Sequence, residues 1–149
     1  MDLFDFLKDL KAKASPIGDF WRLEEHEIPA SPGAYLLVAR SSVRFTYPAG
    51  RSPIYYVGMA QSLRRRLSDH LKHYTEVRDR RDTSSFYEPR HEYGGVHGGR
   101  YCFIRAWRSM SARSLEDAVL ARFFVQYHSF PVANRAGGWR RVEQEFKNV

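Results

Sequence analysis

At 149 residues the chain is long enough to bury one hydrophobic core, and a hydrophobic share of 43% with 15% aromatics excludes a disordered polymer. No apolar run approaches the roughly 18 residues of a membrane span, because charge, Gly or Pro breaks each one. The net charge of +7 comes mostly from arginine, since only five of the 24 basic residues are lysine. A planar guanidinium suits phosphate better than a point charge does, so an acidic polymer, nucleic acid first, is the expected partner; a solvated basic surface is the alternative. The single cysteine, Cys102, excludes a disulfide framework and a multi-cysteine zinc site. The acidic start Met1-Asp2-Leu3-Phe4-Asp5 carries no signal-peptide pattern, so a cytoplasmic setting with no membrane partner is expected.

Leu3, Phe4, Leu7 and Leu10 recur at helical spacing, predicting an amphipathic helix over Leu3–Lys13 that packs on the domain or serves as a handle for a partner. Ser15-Pro16-Ile17-Gly18 would end it, and residues 1–28 read as an N-terminal helical extension. Glu24, Glu25 and Glu27 read as solvated surface. A Pro32-Gly33 turn then launches the strand Ala34-Tyr35-Leu36-Leu37-Val38, and a second apolar and aromatic run follows as Ile54-Tyr55-Tyr56-Val57-Gly58. Between them Val43, Phe45 and Tyr47 alternate with Arg44 and Thr46, and Pro48-Ala49-Gly50 forms a tip. This hairpin is expected to reach past the core, either as decoration or as a finger laying Arg44 and Arg51 along a duplex.

From Leu63 the period changes to 3.6. Leu63, Leu67, Leu71 and Tyr74 form one stripe, with Arg66, His70 and His73 along its flank. Residues 76–100 are polar, charged and glycine-rich, and read as a basic loop insertion. Arg78, Arg80, Arg81, Arg90 and Arg100 are interleaved there with Phe86, Tyr87 and Tyr93, which suits backbone tracking on nucleic acid or a merely solvated insertion. Tyr101–Trp107 is a third strand with Cys102 on its apolar face. A last helix runs from about Ser114, as N-cap, to Tyr127. Glu116 falls near the middle of that helix's apolar stripe, where a carboxylate needs a buried arginine or a metal ion. Asp117 falls at the edge of the stripe, as an ordinary first-turn charge.

Gly33-Ala34-Tyr35 and Tyr56-Val57-Gly58, followed by Arg66 eight and His70 twelve residues after Gly58, resemble the GIY-YIG nuclease domain. Ala34 replaces a larger apolar residue of that pattern, the link between the triplets is long, and Met59 stands where some members carry lysine. The resemblance implies a single domain over 1–149: an α/β (α+β) fold with a small, mainly antiparallel three-stranded sheet flanked by helices. It implies metal-dependent endonucleolytic hydrolysis of phosphodiesters, in DNA before RNA, with one Mg²⁺ or Mn²⁺ per site. Tyr35, Tyr56, Arg66, His70 and Glu116 would be catalytic, Glu116 holding the metal. Gly33, Gly58 and Asn134 of the Pro131-Val132-Ala133-Asn134 element would be structural supports, with Gly58 allowing a tight turn at a strand end. The rival expectation is a non-catalytic nucleic-acid-binding module on the same fold; a basic scaffold is a third.

Overall fold

The near-continuous apolar runs along 33–38 and 54–60 require strands covered on both faces, in a sheet packed between helices. The computed structural model, which describes residues 3–10, 13–80 and 87–134, places them there. In chain order the strands are β1 (Gly18–Asp19), β2 (Gly33–Val38), β3 (Phe45–Tyr47), β4 (Gly50–Ser52), β5 (Ile54–Ala60) and β6 (Arg100–Arg105). The α-helices are α1 (Leu63–Asp79), α2 (Pro89–His97) and α3 (Ala112–Tyr127). The architecture is α+β: an antiparallel sheet of four strands in the order β1-β6-β2-β5, with β3 and β4 as a separate two-stranded sheet. The expected three-stranded sheet is thus a four-stranded one. Gly18 and Asp19 add a short edge against Tyr101 and Arg100, too brief to leave a periodic signal.

Strand β2 is buried along its whole length, and its two faces feed two cores. Ala34, Leu36 and Val38 pack with Val57, Cys102 and Ile104 under Leu115, Val119 and Phe123 of α3. Tyr35 and Leu37 pack with Tyr55 under Leu63, Leu67 and Tyr74 of α1. The period-2 alternation of a strand therefore sends successive residues to opposite helices. Cys102 is buried as expected, and burial pushes its thiol up to about 12, so it behaves as a small hydrophobe.

Several local expectations change. Among the described residues of the expected helix Leu3–Lys13 the helical element is a single 3₁₀ turn, Asp5–Leu7, and the rest of the N-terminal extension adds two more such turns, Phe20–Arg22 and Glu25–Glu27. Neighbouring Phe6 and Leu7 both enter the core, Phe6 edge-on to Phe123, and this anchorage outweighs the weak nucleation of a short helix. The hairpin does not reach past the core. Tyr47 is buried against Phe123, and its hydroxyl donates to the Ile54 carbonyl at 2.7 Å, so the β3–β4 pair folds back onto the domain. Helix α3 begins at Ala112, with Ser111 as its cap, accepting from the Ser114 amide at 3.1 Å.

The largest correction concerns residues 76–100. Helix α1 continues to Asp79, and α2 takes up the glycine-bearing stretch Pro89–His97 of what the composition marked as a loop. Those glycines serve contact rather than flexibility. A Cβ on Gly94 would stand 2.1 Å from the Tyr74 ring, and one on Gly95 would stand 2.4 Å from Val77. Two bare backbone positions let α2 lie directly on α1.

Candidate active site

Tyr35 and Tyr56 project from β2 and β5 on the α1 side, their ring centroids 6.1 Å apart. Gly58 lies opposite Tyr35 in the β2–β5 register, within β5 rather than at its end. A Cβ there would meet the Tyr35 ring at 2.4 Å, so this glycine makes room for a phenol and forms no turn. Gly33 serves close packing too, since a Cβ would stand 2.4 Å from the Ile104 carbonyl oxygen.

Helix α1 delivers His70 from above. Its Nε2 lies 3.0 Å from the Tyr35 hydroxyl, and the residue is buried within the helix's apolar stripe rather than on its flank. Leu71, expected in that stripe, is only half-buried. Burial pushes the Tyr35 hydroxyl well above its ordinary range and the neighbouring Tyr56 adds to this, while Arg66 and Arg90 oppose it. Burial likewise holds His70 well below the usual imidazole value, reinforced by His91, Arg90, Arg66 and His73. At neutral pH both groups are therefore uncharged. The bond between them therefore joins two neutral groups, a phenol hydroxyl and an imidazole nitrogen, each of which can donate or accept.

Tyr56 is half-exposed, and its partner is a residue the motif does not contain. Arg90 Nη1 donates to the Tyr56 hydroxyl at 3.4 Å, and the guanidinium sits 5.8 Å from the Tyr56 ring centre. His70 thus serves Tyr35, and Arg90 serves Tyr56. Arg66, Asp69, His70 and His73 of α1 with Arg90 and His91 of α2 line a cavity of about 140 Å³. His91 packs 4.2 Å from the His73 ring and 5.2 Å from the His70 ring. Burial, then His73, Arg90 and Arg66, bring its value down to about 4. The cavity is accordingly lined by two permanent cations, three histidines and one exposed carboxylate, Asp69.

Asn134 anchors this group from outside. Its Oδ1 accepts from the Val57 amide and its Nδ2 donates to the Val57 carbonyl, both at 2.9 Å. A side-chain amide thus pairs with the free edge of β5 as a neighbouring strand would, immediately beside Tyr56.

Glu116 stands one position after buried Leu115, in the helix on the opposite face of the sheet from α1, and is itself half-buried. It is not among the residues lining the cavity. The other basic candidates are scattered. Arg78 pairs with Asp79 and lies 4.4 Å over the Trp21 ring, and Arg80 forks onto Glu92. Arg100 donates to the Ala39 carbonyl at 2.9 Å. Arg44 is bonded to its own loop carbonyls, Arg51 is exposed, and Arg81 lies outside the described residues. Among the described members of this set only Arg90 lines the cavity. Its helix had a legible start signal, Pro89 in the first turn followed by Glu92, which the surrounding glycines obscured.

No protein-family model, curated protein or solved structure matches the chain. Among the described residues no helix is long and apolar enough to cross a membrane.

Proposed function

We propose that this chain is a metal-dependent endonuclease of GIY-YIG type that hydrolyses phosphodiester bonds, in DNA before RNA. One observation carries the reading. Arg66 and His70 line one basic cavity, Tyr35 and Tyr56 are hydrogen-bonded to its lining residues His70 and Arg90, and Asn134 braces the strand that bears Tyr56.

In this mechanism a backbone phosphate enters the cavity and Arg66 faces the negative charge that grows on the phosphoryl oxygens. A preorganised donor of that kind is typically worth about 2.7–4 kcal/mol in the transition state. The Tyr56 hydroxyl, half-exposed, orients the attacking water. Tyr35 and His70, both neutral and bonded to each other, hold the floor of the site rigid and carry no charge of their own.

The resemblance gives the Mg²⁺ or Mn²⁺ ion, one per site, to Glu116, but this residue stands on the opposite face of the sheet from α1 and outside the cavity, so it does not fit an ion bound to a phosphate there. A carboxylate is the hard oxygen donor both ions prefer, and Mg²⁺ is satisfied by one or two carboxylates beside water and phosphate oxygens. Among the described residues no three His, Cys, Asp or Glu side chains form a metal cluster, and the one carboxylate lining the cavity is Asp69.

The cavity lining also favours a second reading, a nucleic-acid-binding module without hydrolysis, because two arginines and three histidines outnumber a single carboxylate there. Nicking of supercoiled plasmid separates the two. The endonuclease requires Mg²⁺-dependent nicking by the parent and far slower nicking by Tyr56→Phe. Salt-sensitive DNA binding with no nicking under Mg²⁺ or Mn²⁺ selects the binding module.

A further inference from the structure

Helix α2 lies outside the residues that carry the sequence resemblance, yet it supplies two of the six residues around the cavity. It is firmly seated. Gly94 and Gly95 leave no gap against Tyr74 and Val77, Tyr93 stacks on Tyr55 with ring centres 6.1 Å apart, and Glu92 is forked by Arg80 at the end of α1. Arg90 is therefore presented by a packed element and not by a swinging loop.

In the free protein the Arg90 guanidinium has two weak claims on it. One is the long 3.4 Å bond to Tyr56, and the other is Glu88, at 2.9 Å from Nη2 but with 60% of its side chain exposed. An exposed ion pair of this kind is worth little and is readily exchanged. Across the cavity stands Arg66, and the lining includes a single carboxylate, Asp69. His70 and His91 are neutral and nine-tenths buried or more, and each has a buried Nδ1 without a partner. Two cations that line one cavity with neutral, incompletely bonded imidazoles are poorly satisfied by one carboxylate and well satisfied by an anion with several oxygens.

We propose that Arg90 and Arg66 together grip one phosphate group, so that Arg90 is a substrate-binding residue added to the site by α2. The grip stands on the geometry alone; only its assignment to a nucleic-acid backbone phosphate rests on the function proposed above. On phosphate entry Arg90 exchanges Glu88 for the ligand and keeps the Tyr56 hydroxyl beside the phosphate.

The test uses the full chain in two arms: inorganic phosphate followed by NMR titration, and a short DNA duplex without divalent metal titrated over a range of salt. Arg90→Ala should weaken phosphate binding roughly ten- to a hundredfold, the range expected for hydrogen bonds to a charged partner. It should also reduce the salt slope of duplex binding by about 0.9, one phosphate contact. Arg65→Ala, an exposed arginine of α1 away from the cavity, should leave phosphate binding unchanged. Glu88→Gln removes the competing carboxylate and should tighten phosphate binding, by up to about fivefold. A purely structural Arg90 would not produce that gain. Unchanged phosphate affinity in a folded Arg90→Ala protein overturns the grip. Should that variant not fold, Glu88→Gln decides, and unchanged or weaker binding there overturns it equally. Lost phosphate binding with an unaltered duplex slope refutes the backbone assignment. A protein that shows all the expected binding changes but never cuts DNA defeats the endonuclease reading and leaves the grip standing.

Discussion

Acid should destabilise this protein well before its carboxylates titrate, and the histidines at the α1–α2 contact are the reason. His91 titrates near 4 in the folded chain and His70 lies well below its ordinary value, whereas both recover about 6.5 on unfolding. Between the folded and unfolded values the unfolded chain binds more protons, so the stability of the fold rises with pH across that window and falls as pH drops below 6.5. Each such histidine costs about 1.4 kcal/mol for every pH unit below its unfolded value. From pH 7.5 to pH 5 the loss is about 2 kcal/mol for His91, with a further loss of the same sign from His70, set against a typical total of about 5–15 kcal/mol. The carboxylates whose values are lowered, Asp9 and Asp79, lose their contribution only as pH falls toward and below 3.8, outside this window. Urea unfolding at pH 7.5, 6.0 and 5.0 measures the effect through the midpoint at constant m. His91→Phe should remove about 2 kcal/mol of the acid loss while keeping an aromatic ring against His73. A parent protein with equal stability at pH 7.5 and 5.0, or a His91→Phe variant with the parent's full pH slope, would refute the argument that burial holds these rings neutral.

Three further outcomes are expected. Asn134→Ala removes both bonds to Val57 and bares the edge of β5 beside Tyr56, which should cost about 1–3 kcal/mol, read as a fall in melting temperature of roughly 3–10 °C together with slower cleavage. Gly94→Ala forces a methyl group into the Tyr74 ring and should cost about 1–3 kcal/mol by the same measurement, whereas a flexible loop there would tolerate it. In the endonuclease reading Arg66→Ala should retain the fold, bind DNA with one phosphate contact weakened, and cut about a hundred- to a thousandfold more slowly at saturating enzyme, checked by single-turnover cleavage of a labelled duplex; cleavage at the parent rate would remove Arg66 from the mechanism.

The main strands, the first and last long helices and the burial of Cys102 were legible in the chain, because period-2 and period-3.6 patterns of large apolar residues survive any tertiary arrangement. So was the spacing from Gly58 to Arg66 and His70, since strand and helix geometry turn sequence distance into direction. What the pattern alone left undecided depended on partners far along the chain. His70 is polar and was placed on a flank; it lies in the core because Tyr35, 35 residues earlier, offers it a hydrogen bond, and Gly58 clears the space for that tyrosine. Asn134 takes its meaning from the unpaired edge of β5, and its composition gives no hint of that docking. The glycines at 94 and 95 looked like a flexible loop because local propensity counts their lost side chains as a cost. Only the packed structure turns that absence into contact, laying α2 on α1 and carrying Arg90 and His91 to the cavity.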